Sequence, residues 1–268
     1  MSLTALAVRF ATIRALQGRT FAEDRVFDSK INPVNLVASK ESKPVIIVTT
    51  DDDNIDITGK GLRAGNHKLE LVIEIAVTQK VTVEVENGDT TEVITIPSSD
   101  AGLEATVGLI GWQIAKALSA DGGHWGDIWR TLVTNVHSIS SRRGADDENG
   151  VRYAARQYIY SLDHVEEPTP GETPCVGSAW DKVLTAMKAD ADYAGVAKLI
   201  EAEITGGDYL PWQIARGHLG VADDVAVIIG TKPVKIDEIV QLAAVDITDG
   251  FTIAEQRSGE IEVPENEA

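Results

Sequence analysis

From His67 to Val77 apolar and polar residues alternate. Leu69, Leu71, Ile73, Ile75 and Val77 fall on one face, and Lys68, Glu70, Glu74 and Ala76 mostly on the other. Side chains of a strand point alternately to its two faces, so this run predicts a long strand with one face against a core. Something must cover that face, and two segments have the spacing to do so. Residues 3–17 place Leu3, Leu6, Ala7, Phe10, Ile13 and Leu16 three or four apart, which predicts an amphipathic helix ended at Gly18. Ser98-Ser99-Asp100 is a capping sequence for a second helix, with Leu103, Val107, Ile110, Ile114 and Leu118 on its core face and Gly122-Gly123 at its end.

The remaining signals fill in a sheet. Pro44 to Thr50 is β-branched and bounded by proline and aspartates, the pattern of a buried strand, and Arg25 to Asp28 is a short extended piece before it. Val81–Val85 and Glu92–Ile96 flank Asn87-Gly88, a strong hairpin signal, so residues 81–96 are expected to project as a hairpin. A shorter helix is expected around residues 126–134. Strands are expected at Val136–Ser141 and Val151–Leu162, with Arg142–Gly150 as the charged turn between them. This order predicts an α+β fold: an antiparallel or mixed β-sheet with helices packed on one face.

Three prolines between Glu166 and Pro174 can neither continue a helix nor occupy a central strand. We therefore expect a domain over residues 1–167 and a linker over 168–175. A second, smaller α+β region would follow over 176–257, with helices at Trp180–Met187, Tyr193–Ile204 and Leu210–Leu219 and strands at Val225–Gly230 and Ile239–Ile247. Residues 258–268 read as a frayed acidic tail.

Charge and cysteine content bound the function. The 268 residues carry 42 acidic and 24 basic side chains, a net of −18. Residues 1–175 hold 25 acidic and 17 basic of these, a net of −8, which leaves −10 for the shorter remainder. Affinity for a DNA backbone needs an excess of Lys and Arg, so this balance argues against a DNA binder, though not against a protein that stands beside DNA and repels it. The single Cys175 excludes an intramolecular disulfide framework and a Cys-based zinc site. No apolar run reaches the roughly 20 residues that span a bilayer. The N-terminus lacks a basic n-region, so no export is expected.

The chemistry-bearing residues give weak signals. His67, His124, His137, His164 and His218 form neither H-x-x-x-H nor H-E-x-x-H, so no metal ligand is assigned from their spacing. The densest carboxylates are Asp51, Asp52, Asp53 and Asp56, which suit a hard cation or a solvated loop after a strand. This loop has no glycine at its sixth position and Leu62 at its twelfth, so it is not an EF-hand. Gly59-Lys60-Gly61 lacks the Gly-Lys-Ser/Thr of a phosphate loop and reads, with Arg63 and Gly65, as a mobile connection. Arg142, Arg143, Arg152 and Arg156 are the one local concentration of positive charge, suited to an acidic partner or neighbouring subunit, or equally to a solvated hairpin. No catalytic set and no cofactor are expected.

A short N-terminal helix is followed by Asp24-Arg25-Val26-Phe27-Asp28-Ser29 and the proline-led strand Pro44–Val48. Then come Leu69–Ile75, a helix with Trp112 and Leu118, and the strand Arg152–Tyr160 running towards Pro168. In this order and texture, over residues 3–170, the chain resembles the tail terminator (tail completion) proteins of long-tailed bacteriophages and gene transfer agents. Residues 176–268 go beyond the resemblance.

The resemblance implies a structural virion protein and not an enzyme. It would assemble in the host cytoplasm as a homo-oligomeric, hexameric ring. That ring would cap the tail tube protein, stop its polymerisation, and join the tail to the head–tail connector or head completion protein in the neck. DNA would pass through without specific binding, and no membrane would be involved. Candidate subunit, tube or connector contacts are Arg142, Arg143, Arg152, Arg156, Asn87, Gly88, Lys60 and Arg63. Candidate lumen or rim acids are Asp51, Asp52, Asp53 and Asp56. Six copies would surround one channel with roughly −108 of charge. The alternatives are another neck or head-completion adaptor, a cation-dependent hydrolase using the Asp51–Asp56 cluster, and a chaperone or regulatory module carried by the acidic C-terminal part.

Overall fold

The computed structural model describes residues 2–29, 43–57, 65–78, 81–87, 90–97, 99–144 and 154–206, with positions 213, 225, 228 and 229 beyond them. Its strands are β1 (Val26–Asp28), β2 (Val45–Ile57), β3 (Gly65–Val77), β4 (Val81–Asn87), β5 (Thr90–Ile96), β6 (Val133–Gly144) and β7 (Ala154–His164). Its helices are α1 (Leu3–Leu16), α2 (Asp100–Lys116), α3 (Gly123–Leu132), α4 (Ala179–Ala189) and α5 (Ala194–Thr205), and one wider π-type turn, Ala117–Asp121, extends α2. Five strands form a mixed sheet in the order β1-β2-β3-β7-β6. β1 is parallel to β2 and every other pairing is antiparallel. β4 and β5 pair separately as the hairpin that Asn87-Gly88 predicts. The protein is α+β, as its patterning predicts.

The alternating strand is the middle of the sheet. Leu69, Leu71, Ile73, Ile75 and Val77 of β3 are all buried, in one cluster with α1, α2, α3, α4 and α5. The predicted core face of α2 (Leu103, Val107, Ile110, Ile114) and Leu118 beyond it lie in that cluster. Ser99 caps α2 by accepting a hydrogen bond from the Gly102 N–H. At the start of α3, Gly123 has φ +56, and a Cβ there would also meet the Arg19 guanidinium. The opposite face of the sheet carries a smaller cluster, Val45 and Ile47 with Phe27.

Four expectations need correction. Helix α1 is not amphipathic: Ala5, Val8, Ala11 and Ala15 are buried as well as Phe10, Ile13 and Leu16, so it is an inner helix covered nearly all round. Asp51–Asp56 is not a loop. β2 runs on to Ile57 through a bulge between Thr50 and Asp53, because the start of β3 supplies its backbone partners (Asp53 opposite Leu69, Ile55 opposite His67, Ile57 opposite Gly65). Arg142 and Arg143 belong to β6 and not to a turn, since β6 pairs with β7 as far as Gly144.

Finally, the boundary does not fall in the proline-rich stretch. One compact unit spans Met1–Tyr209, and Trp180, Val183, Leu184, Met187, Ala197 and Ile200 of α4 and α5 share its core. Leu210–Ala268 form a second unit. The helix expected at 210–219, the strands at 225–230 and 239–247 and the tail at 258–268 fall outside the described residues, apart from positions 213, 225, 228 and 229.

A polar clamp joins α1 to the α4–α5 connection. Arg14 donates to Asp190 at 2.7 Å and to Asp192 at 2.6 Å, with its guanidinium 4.6 Å from the Tyr193 ring centre. Tyr193 in turn stacks on Phe10 at 4.5 Å. Burial pushes the Asp190 carboxyl up, but hydrogen bonds from Arg14 and from the Asp192 and Tyr193 N–H groups outweigh it and hold the group below its usual 3.8. A depressed carboxylate contributes stability above its unfolded value and loses it as the pH falls through the folded one. Asp190→Asn is therefore expected to cost about 1 kcal/mol at pH 7. In urea denaturation at a series of pH values, that difference from the parent should shrink once the pH drops below 3.8.

Candidate functional site

Among the residues whose side chains are described, β6 is the strand that faces outward most completely. Every residue from Thr134 to Arg143 is exposed, on both faces of the sheet. Among the described residues β6 pairs only with β7, which leaves its outer edge as a row of backbone donors and acceptors. The edge at the other end of the sheet, β1, is only three residues long. Val136 is 39% exposed and Ile139 is 54% exposed on β6, opposite Leu162 and Tyr160 of β7. The outer side of α2, which packs against β3 and β7, adds Leu109 and Trp112, the latter 70% exposed.

At the far end of β6 the arginines lie together. Arg143 and Arg156 are opposite one another in the β6–β7 register, and both reach Glu104 of α2, at 2.6 and 3.0 Å. Arg142 is exposed beside them. The strand therefore presents apolar side chains near its start and cations near its end. Arg152, Lys60, Arg63 and Gly88 lie outside the described residues, and Asn87 ends β4.

The four candidate acids separate. Asp51 and Asp52 are exposed, and Asp56 pairs with Lys68 across the β2–β3 ladder at 2.7 Å. Asp53 turns inward: its side chain is 12% exposed and accepts the Ser2 N–H at 2.8 Å.

Asp53 leads to a group of residues that the spacing of the sequence does not join. His67 starts the buried face of β3, His164 ends β7, and Glu167 follows three residues later. The two imidazole rings are 5.0 Å apart and both residues are buried. Glu167 accepts the N–H groups of Leu3 and Thr4 at 3.0 and 3.1 Å, and Ser2 accepts that of Ala5 at 2.8 Å, so three orphan donors of α1 are satisfied there. Ligand atoms of His67, His164 and Glu167 all lie within 4.8 Å of one another. The Asp53 Oδ1 is 3.8 Å from His164 Nε2. A search for histidines one helical turn apart cannot find this set, because strand register brings it together.

No family model matches the chain, and no curated protein matches it. Among the described residues, no helix is long and apolar enough to cross a membrane.

Proposed function

We propose that the chain is a structural virion protein that closes into a ring at the end of a phage tail tube, stops its growth and joins the tail to the neck. The observation that carries this reading is β6, a long edge strand exposed on both faces. Such an edge is a template for pairing with another chain, and monomeric proteins ordinarily shorten, charge or cover it. Here its start carries Val136 and Ile139, and its charges are confined to Arg142 and Arg143. The partner it suits is acidic, and a second copy with a net charge of −18 meets that requirement.

Head-to-tail contact of one surface with a different one closes a ring when the rotation fits. The order of helix, strands, helices and strands that underlies the resemblance to tail terminators supports the same reading, and the acidic excess suits a channel that DNA slides through without adhering. The test is co-assembly with the tail tube subunit encoded by the same genome. The protein should bind at one end of each tube and shorten the length distribution, as seen by negative-stain electron microscopy. Tubes of unchanged length with no terminal density would overturn the reading.

A further inference from the structure

We propose that Asp53, His67, His164 and Glu167 bind one divalent transition-metal ion of the zinc type, which pins the start of α1 to the sheet. This inference is independent of the ring reading, because all four residues belong to one copy of one unit.

The geometry of His164 carries the argument. Its Nδ1 lies 2.7 Å from the Val165 carbonyl oxygen. A carbonyl oxygen only accepts, so Nδ1 holds the proton and donates it. The other ring nitrogen, Nε2, is fully buried with no hydrogen-bond partner, and so is the Asp53 Oδ1 that it faces. Their 3.8 Å separation is too long for a hydrogen bond. A buried imidazole whose Nδ1–H is fixed by a carbonyl, with Nε2 aimed at further ligands, is the arrangement in which histidine binds metals. Two donor atoms on one tetrahedral zinc ion lie about 3.3 Å apart, so small side-chain rotations bring this set onto an ion.

Charge and donor type point to the same ion. Two neutral imidazoles and two carboxylates carry −2, which a divalent cation cancels in a site that largely excludes water. Imidazole with carboxylate selects zinc-like ions over calcium and magnesium, which prefer oxygen alone. The backbone hydrogen bonds do not compete, because each carboxylate oxygen has two lone pairs and can accept an N–H while ligating a metal. Asp53 comes from β2, His67 from β3, His164 from β7 and Glu167 from the segment after it, while both carboxylates hold N–H groups at the start of α1. An ion at their centre would therefore join three strands to the first turn of the inner helix.

The experiment uses the full chain, free of any tag and carrying Cys175→Ser to remove the exposed thiol. Zn²⁺ is titrated by calorimetry, with the metal content measured after gel filtration. We expect one equivalent bound, a rise in the unfolding temperature, and no competition from Mg²⁺ in large excess. His164→Ala and His67→Ala should each weaken binding at least about tenfold, and His124→Ala should leave it unchanged. If either histidine variant unfolds, Asp53→Asn, which keeps an acceptor for the Ser2 N–H, and Glu167→Gln, which keeps one of the two acceptors that Leu3 and Thr4 use, should still weaken zinc at least about tenfold. A parent chain that retains no stoichiometric zinc, or zinc retained equally by folded variants, would overturn the proposal.

Discussion

Ile73→Ala is expected to remove about 2–5 kcal/mol of folding stability, a large share of what a unit of this size possesses. Ile73 is fully buried at the centre of β3, between Val48 of β2 and Tyr158 of β7. Its side chain faces the cluster built from α1 and α2, which cannot collapse onto the shortened residue without moving a helix. The cost thus combines lost burial with a cavity. Urea denaturation followed by the fluorescence of Trp129 and Trp180, both buried in this unit, should show a lower midpoint at an unchanged slope. Leu109→Ala, at a position 45% exposed on α2, should stay within about 0.5 kcal/mol of the parent. Equal effects at the two positions would contradict the assignment of β3 as the centre of the core.

That centre was legible in the sequence because a period of two over eleven residues has one physical meaning. The face of α2 was legible for the same reason, since Leu103, Val107, Ile110 and Ile114 keep one side of a helix. The burial of α1 was less so. Its outer positions are mostly alanines, which pattern does not separate from solvent-facing residues, and α3 packed over the helix decides the matter.

Asp51–Asp56 reads as a loop because aspartate is rare in strands. It is a strand here because pairing with β3 satisfies its backbone, while a bulge turns Asp53 inward. The prolines between 168 and 174 mark where regular structure stops, not where the core stops: Trp180 and Met187 return to the same cluster. The histidine–carboxylate set was invisible because the register of β3 against β7, not separation along the chain, places His67 beside His164.

The second large effect concerns β6. Val136→Lys with Ile139→Lys is expected to abolish self-association while leaving the fold intact. Both residues are partly or largely exposed, so a lysine at either can keep its ammonium in water, and neither belongs to the buried core. A charge on an edge strand is the device by which natural sheets prevent edge-to-edge pairing. Placed where Val136 and Ile139 would meet apolar surface of the neighbour, away from the Arg142–Arg143 end, it must be desolvated, at a cost of several kcal/mol for each copy. Across a closed ring that cost recurs at every junction, so the assembly should disappear and not merely weaken. Circular dichroism and the urea midpoint should match the parent within about 0.5 kcal/mol. Arg142→Glu with Arg143→Glu should act in the same direction through repulsion of an acidic neighbour, and its effect should fade as salt is raised. An assembly that survives the two lysines would place the contact elsewhere on the surface.

The most direct test of the central claim is the native mass of the full chain, measured by native mass spectrometry and by electron microscopy of the same sample. A closed ring of about six copies of the 28.7 kDa chain, with a central opening, is the expected result. A strict monomer at every concentration, alone and with tail tubes present, would contradict it.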